Sequence, residues 1–222
     1  MEKIKIHKII RSRRRSVALI VSPDATLIVR APLHAPIELI ENFIAKKWKW
    51  IYEKLTEARN RPKILAKKFI VGEEFLFLGQ SFSLKIATVD NIEINEREII
   101  FPQKYIARAK ENLINWYRRE AFYYLRQRAA ECAKLMDASY GKIKITSAQK
   151  RWGSCSSKGT LNFSWRLILA PKEIVDYVVV HELAHLKHHN HSHKFWAEVK
   201  LVLPNYRQQE KWLKDNGHFL NV

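Results

Sequence analysis

His181-Glu182-Leu183-Ala184-His185 sets two imidazoles four residues apart, with a carboxylate next to the first. On a helix this spacing stacks both rings on one face, one turn apart, where they can share a metal ion. Glu182 then projects beside the metal without having to bind it, close enough to take a proton from a metal-held water. Two His ligands, a Glu general base and an open position for water are the working parts of a metal-dependent hydrolase. The pentapeptide alone also turns up by chance. Here Ile174, Val175, Val178, Val179, Leu183 and Leu186 surround it. Such an apolar wall strengthens the field of a metal ion.

A third ligand has to come from beyond the straight helix. His181, His185 and His188 share one stripe, and three groups in a line cannot make a tetrahedral corner. Asn190 tolerates the left-handed conformation that ends helices, and Ser192 suits the N-cap of the next one. His191 falls between them, ten positions after His181. The longer HExxHxxGxxH motif has the same offset. The expected ligands are therefore His181, His185 and His191. Glu198 or Glu210 is the rival for the third place, and His188, His189 and His193 are read as solvated or outer groups. Zinc suits three imidazoles and redox-free hydrolysis, while Ni, Co or Mn would accept the same donors.

Arg151-Trp152-Gly153-Ser154-Cys155 precedes a turn at Lys158-Gly159 and could reach the metal cleft. Arg151 could stabilise an oxyanion formed when water attacks a carbonyl or phosphoryl group. Alternatively, Arg151 holds the loop, Trp152 packs and Gly153 permits a tight backbone. Cys155 is either a further ligand or a small buried hydrophobe. Phe195 and Trp196 are expected as core beneath the His191 turn.

These groups need a scaffold. Val17, Leu19 and Val21 alternate, Ser22 to Ala25 supply turn residues, and Leu27 and Val29 resume the alternation, which predicts a hairpin. A helix is expected over about 36–58, with Pro36 at its first position and an apolar stripe through Ile37, Ile40, Ile44, Trp48, Ile51 and Leu55. Residues 59–68 read as a basic connection, and 69–101 as several short strands. A long helix follows over about 105–136, with Ile106, Leu113, Tyr117, Leu125, Cys132 and Leu135 on one broad face. Residues 142–146 and 161–169 read as strands. On the second, Asn162 and Arg166 point away from the apolar face, and a peptide could pair with its edge. Pro171 opens the helix that carries the histidines, and Pro204 opens a last one. The fold expected is α+β: a β-rich N-terminal region with one helix over 1–102, then an α+β metallohydrolase domain over 103–222.

Forty Lys and Arg against 22 Asp and Glu give the 222-residue chain a formal charge of +18. That balance suits an anionic partner, nucleic acid included. Arg11, Arg13, Arg14 and Arg15 form one basic cluster; Lys46, Lys47 and Lys49 interleave with Trp48 and Trp50 in another, where the simpler reading puts Trp48 in a core. Two cysteines make no disulfide framework. No signal-peptide pattern and no run of about 18 apolar residues is present, so the expectation is a soluble, reduced, cytoplasmic protein without a membrane partner. Asn190-His191-Ser192 fits a glycosylation pattern that such a chain would not use.

RWGSCSSKGTLNFSWRLILAP, VVVHELAHLKHHNHSHKFW and the later LPNY resemble the YgjP-like metallopeptidase family, with the SprT-like and WLM proteases as more distant relatives. RSRRRSVALIV, Arg30-Ala31-Pro32 and KKWKWIYEKL extend the resemblance to nearly the whole chain. The resemblance implies a minimal zincin domain, with His181, His185 and His191 as ligands and Glu182 as the catalytic residue. It names no substrate. A peptide or protein is the favoured one. The alternatives are a metal-dependent nucleoside triphosphate pyrophosphatase and a DNA-associated protease of the SprT-like kind. Against the first, the chain has no P-loop and no acidic cluster for Mg²⁺.

Overall fold

A computed structural model describes residues 5–22, 24–60 and 66–222. Pro23 of the expected hairpin turn and residues 61–65 of the expected basic connection lie outside them. The chain divides into two compact units, Met1–Leu65 and Ala66–Val222.

The first unit contains β1 (Ile6–Ser12), β2 (Ala18–Val21), β3 (Leu27–Pro32), α1 (Ile37–Lys46) and α2 (Trp48–Asn60). Its sheet order is β1-β3-β2. The hairpin expected from the alternation forms, with Leu19 opposite Val29 and Val21 opposite Leu27. Leu27, Val29 and Ala31 alternate inward from β3 onto Ile40 and Ile44 of α1 and Ile51 and Leu55 of α2. The expected single helix is thus two, parted at Lys47 (φ −105°, ψ 12°), and Pro36 is an N-cap rather than a first helical residue. The buried stripe keeps its period from Ile44 to Ile51, so hydrophobic spacing carried no sign of the break. Trp48 is not in the core: it is exposed and stacks on Tyr52, ring centroids 5.6 Å apart.

The second unit begins with β4 (Glu74–Phe77), β5 (Gln80–Ala87), β6 (Glu93–Asn95) and β7 (Glu98–Pro102), in the order β4-β5-β7-β6. A 3₁₀ segment, Gln103–Arg108, leads into α3 (Ala109–Leu135). β8 (Ile143–Thr146), β9 (Gly153–Cys155) and β10 (Leu161–Ser164) form a second sheet, in the order β8-β10-β9. A 3₁₀ segment, Trp165–Leu169, precedes α4 (Lys172–Ala184), α5 (His193–Val202) and α6 (Tyr206–Asn216).

The sequence boundary near residue 102 is therefore corrected to 65/66. Phe75, Phe82, Leu84, Ile99 and Phe101 of the four-stranded sheet share one core with Leu113 and Tyr117 of α3 and with Val178 and Val179 of α4. Backbone bonds stitch the β4–β5 turn to the approach to α4: Leu78 N–H donates to Ile168 O (2.7 Å) and Gly79 N–H to Leu169 O (3.2 Å). Gly79 has φ +77°, and a Cβ there would stand 2.7 Å from Pro171 Cα, so only glycine fits.

Two apolar readings are also corrected. The expected strand 161–169 stops at Ser164, because the chain winds up with Leu167, Ile168 and Leu169 all buried in succession, which an alternating strand cannot do. Ile106 falls in the 3₁₀ segment ahead of α3 and is exposed, and Leu135, the last residue of α3, is 73% exposed. The broad face is real and runs through Leu113, Tyr117, Leu125 and Cys132 with Trp116, Ala121 and Ala129. α3 is clamped to α4 by Arg128, whose Nε and Nη2 donate to the two carboxylate oxygens of Asp176 (2.6 and 2.9 Å).

Shared burial makes a prediction about the corrected boundary. Phe101→Ala should cost about 3–5 kcal/mol. Hydrogen exchange should then speed up in α3 and α4 as well as in the four-stranded sheet, with β3 unchanged.

Candidate metal centre

α4 carries His181 and Glu182 in its last turn and ends on His185 as its C-cap. The chain then turns tightly: Leu186 N–H donates to Leu183 O, and Lys187 and His188 N–H both donate to Ala184 O. The helix thus ends earlier than expected, before His188 can extend the stripe. Asn190 is not among the residues of positive φ, so the reversal is spread over 185–192 rather than made at one left-handed residue. Ser192 is the N-cap of α5, as its type suggested, through its extended backbone and without a side-chain cap bond. Lys187 secures the turn by donating to Met136 O (2.6 Å) and to Glu198 (2.8 Å).

This path brings His191 back over α4. Its Nε2 lies 3.1 Å from Nε2 of His181. One ligand nitrogen from each of His181, His185 and His191 lies within 4.8 Å of the other two. Nδ1 of His185 is 3.0 Å from His188 O. Donation of its proton there leaves Nε2 as the free lone pair, the arrangement that orients metal-binding imidazoles. The fully buried Phe195 ring sits under all three, with centroids 4.9, 4.6 and 4.7 Å from His181, His185 and His191. Trp196 stacks on His191 and on Tyr206. The aromatic pair is the floor of the cluster, as expected.

Burial sets the protonation states. His181 is pushed down to about 4, chiefly by burial and then by the charges of His185 and His191. His185 is lowered for the same first reason. Both imidazoles therefore favour the neutral form that binds metal. Glu182 is 5% exposed, and burial raises its carboxyl to about 7, against the opposing pull of the Cys155 backbone and of Arg151. Its Oε2, like Nδ1 of His181, is buried without a partner among the described residues. Tetrahedral zinc with Zn–N near 2.0–2.1 Å implies ligand nitrogens roughly 3.3 Å apart. The His181–His191 separation, the neutral imidazoles and the orphaned carboxylate oxygen all fit a divalent ion.

The rival third ligands are engaged or apart. Glu198 is paired with Lys187, and neither Glu198 nor Glu210 belongs to the cluster. Cys155 is also outside it, and burial followed by the charge of Glu182 raises its thiol.

The RWGSC motif resolves into separate roles. Arg151 is exposed, and its charge is felt at Glu182. Trp152 packs on Gly217, where a Cβ would meet its ring at 2.8 Å. Gly153 lies against Glu182: a Cβ there would stand 2.6 Å from Glu182 Cγ. Sequence reasoning had allowed Gly153 a tight backbone without seeing what approached it. It also missed the His188 carbonyl, because a backbone group leaves no trace in residue type. The peptide-pairing idea for Leu161–Leu169 is corrected as well. β10 is the central strand, flanked by β8 and β9, so its edges are taken. Asn162 donates to Ser154 O (3.2 Å), and Arg166 donates to Ser147 O and lies over Trp165.

A family model described as the YgjP-like metallopeptidase domain matches residues 15–216. A search of curated proteins gives no match. Among solved structures, the metallopeptidase zymogen of Pyrococcus abyssi abylysin is similar at 24% identity and a TM-score of 0.38, over 40% of this chain and 90% of that one. The metallopeptidase zymogen of Methanocaldococcus jannaschii jannalysin is similar at 22% identity and a TM-score of 0.38, over 43% and 96%. Among the described residues no helix is long and apolar enough to cross a membrane.

His191→Ala should weaken metal binding by more than the roughly 10–100-fold typical of a lost outer partner. Glu198→Ala should leave it nearly unchanged. Competition with a chromogenic chelator measures both.

Proposed function

The chain belongs to the YgjP-like metallopeptidase family, and on that premise we propose that it is a zinc peptidase whose metal is held by His181, His185 and His191 and whose general base is Glu182. The observation that carries this reading is the convergence of three imidazole nitrogens beside a buried carboxylate with an unpartnered oxygen. A divalent ion bound there supplies Lewis acidity, which makes water nucleophilic near neutral pH and polarises the scissile carbonyl. Nδ1 of His185, bonded to the His188 carbonyl, keeps that ring in one tautomer.

Glu182 does the proton work. Its carboxylate takes a proton from the attacking water at Oε2 and returns it to the departing amine. Burial brings its affinity for a proton close to neutrality, which suits a group that must both accept and donate. Arg151, exposed yet electrostatically linked to Glu182, is proposed to neutralise the oxyanion of the tetrahedral adduct. β9 is an outer strand of its sheet, and its Gly153 touches Glu182. An extended substrate can pair with the free edge of β9 and so pass its backbone across the base. Membership of a metallopeptidase family favours a peptide bond over a phosphoanhydride.

Two variants test the assignment. Glu182→Gln should keep the metal and lower turnover of an unfolded protein substrate by about 10²–10⁴-fold. Gly153→Ala should also keep the metal and lower kcat, because its methyl displaces Glu182. Undiminished cleavage by Glu182→Gln would remove Glu182 as the base.

A further inference from the structure

The first compact unit carries a charge that the metal centre does not use. Residues 1–65 hold fifteen Lys and Arg against six Asp and Glu, so +9 of the chain's +18 falls on them. Its exposed surface also holds large apolar side chains, among them Leu33, Leu39 and Trp50.

β2 is an outer strand of this unit and pairs with β3. Leu19 lies opposite the buried Val29, so Val17, Leu19 and Val21 share the helix-covered face. α1 buries Ile40 and Ile44 but carries a second apolar stripe one residue away, Leu39 and Phe43, and Leu39 is 49% exposed. A groove runs between that stripe and β2. Its middle, about 620 Å³, is lined by Val17, Leu39 and Phe43 among others. Val17 and Leu39 continue into a hollow of about 500 Å³ that also holds Arg13, Arg14 and Arg15. Phe43 continues the other way into one of about 200 Å³ with Leu19, Lys47 and Trp50. Strand and helix keep step along it: Val17 to Leu19 advances about 6.7 Å, and Leu39 to Phe43 about 6 Å.

The arginine end is built for an anion. Arg11 Nη1 donates to the carbonyls of Pro32, Leu33 and Ala35 (3.3, 3.1 and 2.7 Å), which fixes the loop carrying His34. No carboxylate lines this hollow, and Arg14 Nε is buried without a partner among the described residues. Among the described residues Glu38 is the one carboxylate on the groove, in its middle section.

We infer that this groove docks an extended acidic polypeptide segment, which adds as a strand to the free edge of β2. Alternate apolar side chains of the segment seat on Leu39 and Phe43, and its carboxylates meet Arg13, Arg14 and Arg15. An outer strand flanked by a helix offers main-chain hydrogen bonds and side-chain pockets together, the two elements of recognition by strand addition. The charge of the rim selects the partner's sign. Single-stranded nucleic acid fits less well. It binds by stacking on aromatic faces, which Phe43 and Trp50 offer only toward one end, whereas Val17 and Leu39 beside the arginines are aliphatic, and nucleic acid has no use for a strand edge.

The test uses the full chain with Glu182→Gln, so that nothing bound is cleaved. The probes are a fluorescent peptide of alternating Glu and Val, its Lys/Val counterpart, its alternately N-methylated form, and an oligodeoxythymidine. The Glu/Val peptide should bind and slow amide exchange over residues 16–21, while the Lys/Val and N-methylated peptides should not. Leu39→Asp, at an exposed position, and Arg14→Glu should each weaken binding at least about tenfold, with circular dichroism confirming the fold. No binding of the Glu/Val peptide, or equal binding by both variants, overturns the proposal. So does tighter, competing binding of the oligodeoxythymidine.

Discussion

Glu182 and three imidazoles share a wall of apolar side chains, and the second unit is arranged around the cost of placing them there. A buried carboxylate with one oxygen unpartnered is expensive unless something nearby compensates its charge. Here three converging imidazoles, able to hold a cation, stand beside it. The cluster depends on a turn, because a straight α4 would line its histidines up in a row. Phe195 supports the rings from below, Lys187 ties the turn to Met136 and Glu198, and Gly153 lets β9 come close enough to cover Glu182. The tightness that fixes the carboxylate also raises its pKa, so packing and proton chemistry have one cause.

Much of this site was legible in residue types and spacing. The four-residue interval predicted a shared helical face, and His181, His185 and His191 do converge. The reasoning for His191 reached a residue that joins the cluster, but through a partly wrong route, since the helix stops at His185 and Asn190 takes no left-handed conformation. A tight turn held by backbone bonds can be made by many sequences, so its position left no mark. The contacts of Gly153 were illegible for a related reason: a glycine reveals that something comes close, not what.

The domain boundary was harder. Residues 69–101 read as short strands and so were grouped with the earlier strands. Their burial partners are α3 and α4, far along the chain. Local alternation identifies a strand but not the core it joins. The same limit hid the break at Lys47 and the winding of Trp165–Leu169, where apolar spacing is compatible with more than one backbone.

The central claim is that three imidazoles hold the metal. X-ray absorption at the metal edge of zinc-loaded protein reads the ligand shell directly. The expected spectrum shows nitrogen or oxygen scatterers at about 2.0–2.1 Å, with the outer-shell pattern of three imidazoles. A sulfur scatterer near 2.3 Å, or an outer-shell pattern of only two imidazoles, would contradict the account.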